Sequence, residues 1–203
     1  MSDLQLIDKL NSKLRNPLKE HKKLTWFLKG YQLDEDDQVT HLNVFKSGFG
    51  NDIPEEIFQF KHLKQLDLRE NNISSIPEKI SQLEELKILD IRLNQLTDLP
   101  FELAQLFNLE KLYLANNRFE NIPKVISNLE SLWLIDFSEN SITSRCELLL
   151  QAEMLTNIYL KDNKIVEFPF NMIEGYIDEL VLMDNPHKIV EGFTHELINK
   201  LIL

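Results

Sequence analysis

A fixed period constrains this chain more than any other feature. Beginning at Leu63, the string L-K-Q-L-D-L-R-E-N-N-I-S-S-I-P-E-K-I returns in altered form at Leu86, Leu109, Leu132, Leu155 and Ile177, in steps of 23, 23, 23, 23 and 22 residues. A unit of this length has too little chain to bury its own apolar edge. Successive units must therefore stack, each covering the next, and stability is shared between neighbours rather than held by any one unit.

Each unit opens L-x-x-L-x-L-x-x-N-x-L, with the Asn at Asn71, Asn94, Asn117, Asn140, Asn163 and Asn185. Alternation in Leu66-Asp67-Leu68 sends the leucines to a core and Asp67 to the outside, the pattern of a strand with one buried face. One strand per unit, repeated at constant register, predicts a parallel sheet. The Asn falls where the chain leaves the strand, and its amide can satisfy backbone groups of the turn and tie adjacent coils together. A second half follows in Ile76-Pro77…Ile80, Leu99-Pro100…Leu103, Ile122-Pro123…Ile126 and Phe168-Pro169…Met172. Proline has a fixed φ and no N–H, which suits an extended segment or 3₁₀ turn on the opposite side.

On these residues the units resemble leucine-rich repeats of the short intracellular type, similar to bacterial and Ras-suppressor-like repeat proteins. The resemblance spans 39 to 190. It implies an α/β fold: a right-handed leucine-rich-repeat solenoid with a concave parallel sheet of about seven strands and a convex side of 3₁₀ or helical turns. It says almost nothing about the partner. The fifth unit departs from the pattern, because Ser144-Arg145-Cys146-Glu147-Leu148-Leu149-Leu150 lacks the proline and is built of good helix formers. A short convex helix is expected there, with Cys146 packed in or against it as a structural thiol.

The ends need caps, since terminal units would expose core leucines. Residues 1–38 are expected to form the N-terminal cap: a helix over 3–15 spaced by Leu4, Leu6, Ile7, Leu10 and Leu14, then a hairpin. Its arms are placed at Leu24–Leu28 and Val39–Val44, the second arm being the first solenoid strand. Ser47 stands at the first Asn position, and Gly48 and Gly50 absorb an irregular turn. Repeats run over 39–190, and 191–203 are expected to close the array as a helix N-capped by Thr194.

Composition narrows the function. A formal net charge of -11 disfavours nucleic acid and anionic membrane surfaces. No run approaches the roughly 18 apolar residues of a spanning helix, and the start of the chain lacks the basic-then-apolar order of a secretory signal. With the single cysteine, this points to a reducing, cytoplasmic setting, including delivery into a host cell, and the Lys/Ile/Asn-rich usage points to a bacterium. Asp34, Asp36 and Asp37 lack the Gly and Glu of a calcium loop. Gly48-Phe49-Gly50 lacks a third glycine. The five histidines are scattered without metal-ligand spacing. No catalytic, metal or cofactor site is expected.

What remains is the outward face of the sheet. One row across the strands runs Asn43, Asp67, Asp90, Tyr113, Asp136, Tyr159, Val181; a second runs His41, Gln65, Ile88, Lys111, Leu134, Asn157, Glu179; a third runs Phe45, Arg69, Arg92, Ala115, Ser138, Lys161, Met183. Partner-binding residues are expected among Phe45, Asp67, Arg69, Ile88, Asp90, Arg92, Lys111, Tyr113, Trp133, Leu134, Asp136, Tyr159 and Lys161. They divide into a charged sector around Arg69 and Arg92 and an aromatic one around Tyr113 and Tyr159, rich in the residue types that dominate interface hot spots. Seven strands at roughly 4.8 Å spacing, with four exposed residues each, give a footprint of about 380 Å². An ordinary interface takes about 800 Å² per partner, so loop residues such as Glu70, Leu93, Asn116, Glu139 and Asp162 must contribute. The expected function is a non-enzymatic adaptor, monomeric, that binds a protein partner on this face. The alternatives are the specificity subunit of an enzyme complex resembling a ubiquitin ligase, and a self-associating structural protein. Only about 13 residues follow the last repeat, which leaves no room for a catalytic domain within them.

Overall fold

The computed structural model describes residues 1–186 and 196–203. Helix α1 (Asp3–Lys13) comes first, held at its start by a capping box in which the Ser2 hydroxyl accepts from the Gln5 N–H and the Gln5 side chain accepts in return from Ser2. Ten strands follow in one sheet, in sequence order: β1 (Lys19–Glu20), β2 (Gly30–Leu33), β3 (Val39–Asn43), β4 (Gln65–Asp67), β5 (Ile88–Asp90), β6 (Lys111–Tyr113), β7 (Leu134–Asp136), β8 (Asn157–Tyr159), β9 (Ile177–Val181) and β10 (Ile198–Ile202). Every neighbouring pair is parallel except β2 with β3.

The seven strands β3–β9 are those the period predicts, and their register follows the repeat, with Leu66 beside Leu89, Leu112, Ile135, Ile158 and Leu180. These residues have no exposed surface, and neither have Phe60, Phe119 and Phe137, so the core is one column running the length of the stack. Prolines 54, 77, 100, 123 and 169 each lead directly into a 3₁₀ turn, at Glu55–Gln59, Glu78–Gln82, Phe101–Gln105, Lys124–Asn128 and Phe170–Met172. Where the proline is missing, the short helix α2 (Glu147–Leu150) replaces the turn. Cys146 is buried beside it, and burial together with the Glu147 charge pushes its thiol up to about 12, so it carries no thiolate near neutrality.

The six Asn side chains form a ladder. Each Nδ2 donates to a carbonyl of its own coil and to one of the preceding coil, as Asn94 does to Ile91 and Leu68, while the Oδ1 accepts backbone N–H groups from the coil before. At the first coil Asn71 reaches back to the N–H groups of Ser47 and Gly48, and Gly48 and Gly50 take the left-handed φ of 74° and 54° that the irregular turn needs.

Three expectations about the ends are corrected. The first hairpin arm is Gly30–Leu33, not Leu24–Leu28. The Asp34 carboxylate accepts the N–H groups of Asp36 and Gln38, closing a tight turn that pairs the residues immediately before it with β3. The sheet has ten strands, because β1 and β2 extend it before the first repeat and β10 after the last. The expected closing helix is a strand over Ile198–Ile202. The spacing of Leu197, Ile198, Leu201 and Ile202 suits a helix, but the outer edge of β9 carries N–H and C=O groups that need partners. β10 supplies them: Ile177 N–H donates to the Leu197 carbonyl and Leu182 N–H to that of Ile202. Thr194 and the rest of 191–195 lie outside the described residues.

Candidate functional site

The concave face is not uniform, because the chain covers part of it. Between β1 and β2 the segment Lys22–Lys29 folds over the C-terminal ends of the first strands. Asn43, with no exposed surface, donates from Nδ2 to the carbonyls of Thr25 (2.8 Å) and Leu28 (2.9 Å). Arg69 Nη2 donates to the Trp26 carbonyl at 2.6 Å. The Trp26 ring then lies edge-on to Tyr113, centroids 6.2 Å apart, having crossed from β3 to β6.

Beneath this strap lies a charged network. Arg69 donates from Nε and Nη2 to the Asp67 carboxylate at 3.0 and 2.7 Å, and its Cζ sits 5.8 Å from the Trp26 ring centre and 5.4 Å from that of Phe45. Arg92 repeats the arrangement on Asp90, at 3.0 and 2.6 Å, with its Cζ 5.2 Å over the Tyr113 ring. Hydrogen bonds donated to Asp67 and Asp90 raise the two guanidinium pKa values above an already high ordinary value, so both arginines stay charged. Asp67 and Asp90 have no exposed surface at all. The expected charged sector is thus brought together around two buried carboxylates, with Arg69 tied to the strap and Phe45 against the Arg69 guanidinium.

The aromatic sector stays open. Lys111, Tyr113, Trp133, Leu134, Asp136, Tyr159 and Lys161 are all partly exposed on β6–β8 and their borders, and Ile88 lies partly exposed between the two sectors. Lys111 Nζ sits 4.6 Å from the Trp133 ring centre, so Trp133 joins the face that sequence position only borders. The Tyr159 hydroxyl donates to Glu179 Oε2 at 2.7 Å, and Glu179 is also paired with Lys200 on β10. Burial and the Glu179 charge push the Tyr159 hydroxyl up to about 12, so it remains a donor. The rows read from the sequence pair as expected: Asp90, Tyr113, Asp136, Tyr159 and Val181 stand side by side.

Sequence reasoning missed Trp26 as a site residue. Its neighbour Phe27 is 91% exposed, the extreme for a large apolar side chain among the described residues, so the strap presents one ring to the sheet and one to solvent. The aromatic pair in Leu24-Thr-Trp-Phe-Leu was the available signal, but outside the repeats no period assigns such residues a position. Among the described residues no His, Cys, Asp and Glu side chains gather as a metal site, and no helix is long and apolar enough to cross a membrane.

The sequence pattern of the family described as leucine-rich repeat region matches residues 41–161. No curated protein matches the sequence. Among solved structures the chain is similar to a Leptospira interrogans LRR protein, at 23% identity and a TM-score of 0.58, covering 91% of this chain and 52% of that one. It is similar to the plant peptide hormone receptor RGFR1 in complex with RGF2, at 25% identity and TM-score 0.60, over 81% of this chain and 28% of the receptor. Similarity to a Pollen Receptor Kinase 3 structure is 16% in identity with a TM-score of 0.66, over 94% and 99% of the two chains. The chain spans about half the length of the Leptospira protein.

Proposed function

Because the chain belongs to the leucine-rich-repeat family, we propose that it is a non-enzymatic adaptor that holds a protein partner against the open half of its concave sheet, over β6–β9. The observation that carries this reading is the division of the face. The chain's own strap takes the first strands, while Lys111, Tyr113, Trp133, Leu134, Asp136, Tyr159 and Lys161 are left partly exposed on the next ones. Folds of this family generally mediate protein–protein contact, and a plant peptide hormone receptor of the same fold is in complex with RGF2. Tyr and Trp bring a large contact area at little conformational cost. Covering the first strands reduces an already small footprint, so the rim residues Asn116, Glu139 and Asp162 join the contact.

The test is affinity capture with purified protein, comparing the wild type with Trp133→Ala combined with Leu134→Ala. The double variant is expected to lose a partner that a convex-face control, Phe101→Ser, retains; Phe101 is 67% exposed on the far side. A partner that the double variant retains would move the binding site off this face.

A second reading, self-association, draws on β10. It is the last strand of the sheet, and its apolar residues Ile198, Leu201 and Ile202 are only half-buried. Light scattering at micromolar concentration separates the two, since a strict monomer removes the second.

A further inference from the structure

The proposed contact face contains an open copy of a seat that the chain fills elsewhere with its own Arg92. Three of the strands carry Asp in the central row: Asp67 on β4, Asp90 on β5 and Asp136 on β7. In all three the backbone N–H two residues on donates to the carboxylate Oδ1, from Arg69 at 3.0 Å, Arg92 at 3.2 Å and Ser138 at 3.0 Å. The turn and the orientation of the carboxylate are therefore the same. On β5 the guanidinium of Arg92 grips Asp90 and lies over the ring of Tyr113, the residue directly across on β6. On β7 the residue directly across from Asp136 is again a tyrosine, Tyr159. Both walls of the seat are present, but Ser138 stands where the arginine would be.

Neighbouring cations are engaged with other groups. Arg92 is held by Asp90, Lys111 lies over the Trp133 ring, and Lys161 faces Asp184 at 3.7 Å. Among the described residues no cation forms a salt bridge with Asp136, and Arg92, the cation that feels its charge, is held on Asp90. The Tyr159 ring is held in place by its hydrogen bond to Glu179. Resting on the reading of this face as a protein-binding surface, we propose that the seat between Asp136 and Tyr159 receives an arginine side chain of the partner. Arginine fits better than lysine, because its planar fork can grip a carboxylate and stack on a ring at once, as Arg92 does on the next-but-one strand. The net charge of -11 also draws basic segments towards the molecule.

The experiment selects a displayed random-peptide library on the full chain and measures the recovered peptides on three variants. Asp136→Asn removes the charge of the seat. Ser138→Arg supplies the guanidinium from within and is expected to melt no lower than the wild type. Trp133→Ala with Leu134→Ala disturbs the face but leaves the seat intact. The assignment expects recovered peptides to be enriched in arginine, to weaken about tenfold or more on Asp136→Asn, and to lose binding on Ser138→Arg and when their arginine is replaced by citrulline. Peptides that depend on Trp133 and Leu134 but show no arginine enrichment, or bind Asp136→Asn unchanged, overturn the seat and leave the contact face standing. Peptides indifferent to all three variants, or a selection that recovers none, count against both.

Discussion

The Asn of each coil does work that no apolar residue could replace. Asn94 accepts from the N–H groups of Asn71 and Ile73 at 3.1 and 2.9 Å and donates to the carbonyls of Leu68 and Ile91 at 3.1 and 3.0 Å, so one side chain binds two coils. Asn94→Ala strips partners from buried backbone groups and is expected to cost about 1–3 kcal/mol, measured by urea unfolding. This role was legible in the sequence because six copies hold the same place. The concave rows were legible for the same reason: a constant step turns sequence position into lateral position, and Asp136 could be set beside Tyr113 and Tyr159 from spacing alone. Burial along those rows was not legible. Asp67 and Asp136 occupy equivalent places in their repeats, yet one is sealed and the other partly open, and the difference comes from Arg69 and from Trp26 in a segment without a period.

At the level of elements, the N-terminal helix buries Leu6, Ile7 and Leu10 and accepts the Val39 N–H on Asp3, and a buried carboxylate from the first repeat grips its last turns. Glu56, in the first 3₁₀ turn, has a side chain only 1% exposed and takes Lys9 at 2.9 Å and Lys13 at 2.7 Å from α1. Burial alone would raise its pKa, but hydrogen bonds from Lys13 and Lys9 outweigh that and hold the carboxyl down to about 2, against an ordinary 4.5. Because the folded value is depressed, the pair contributes fully above about pH 4.5, and its contribution is lost as pH falls towards 2. An acid titration followed by far-UV circular dichroism should show helix signal declining in that window. Glu56→Gln should remove the window and cost about 1–3 kcal/mol at neutral pH. The helix was readable from its apolar spacing, but its anchor was not, since Glu56 looks like any acidic residue at the start of a turn. The last strand failed for a related reason: the pattern around Leu197–Ile202 fits either element, and the edge of β9 decided it.

Across the whole molecule, contacts run chiefly between adjacent coils, as a solenoid requires. The strap departs from this, since it leaves β1 and touches Tyr113 on β6 before the chain enters β2. At roughly 4.8 Å per strand, the distance from β3 to β6 is about 14 Å. A segment fixed to Asn43 through its Thr25 and Leu28 carbonyls, with the Trp26 ring between them reaching Tyr113, therefore measures a set number of coils. Evolution by tandem duplication, the easy route for a repeat array, is then not equally open along the chain. Doubling residues 140–162 adds a coil beyond the strap and is expected to leave the thermal midpoint unchanged or higher. Doubling 71–93 moves Tyr113 one strand out of reach of Trp26 and is expected to lower the midpoint relative to the first insertion, as calorimetry on the two proteins would show. Equal midpoints would mean that the strap keeps no count. The first coils are in this sense a gauge of fixed length, and growth of the array is confined to the end that carries the open face.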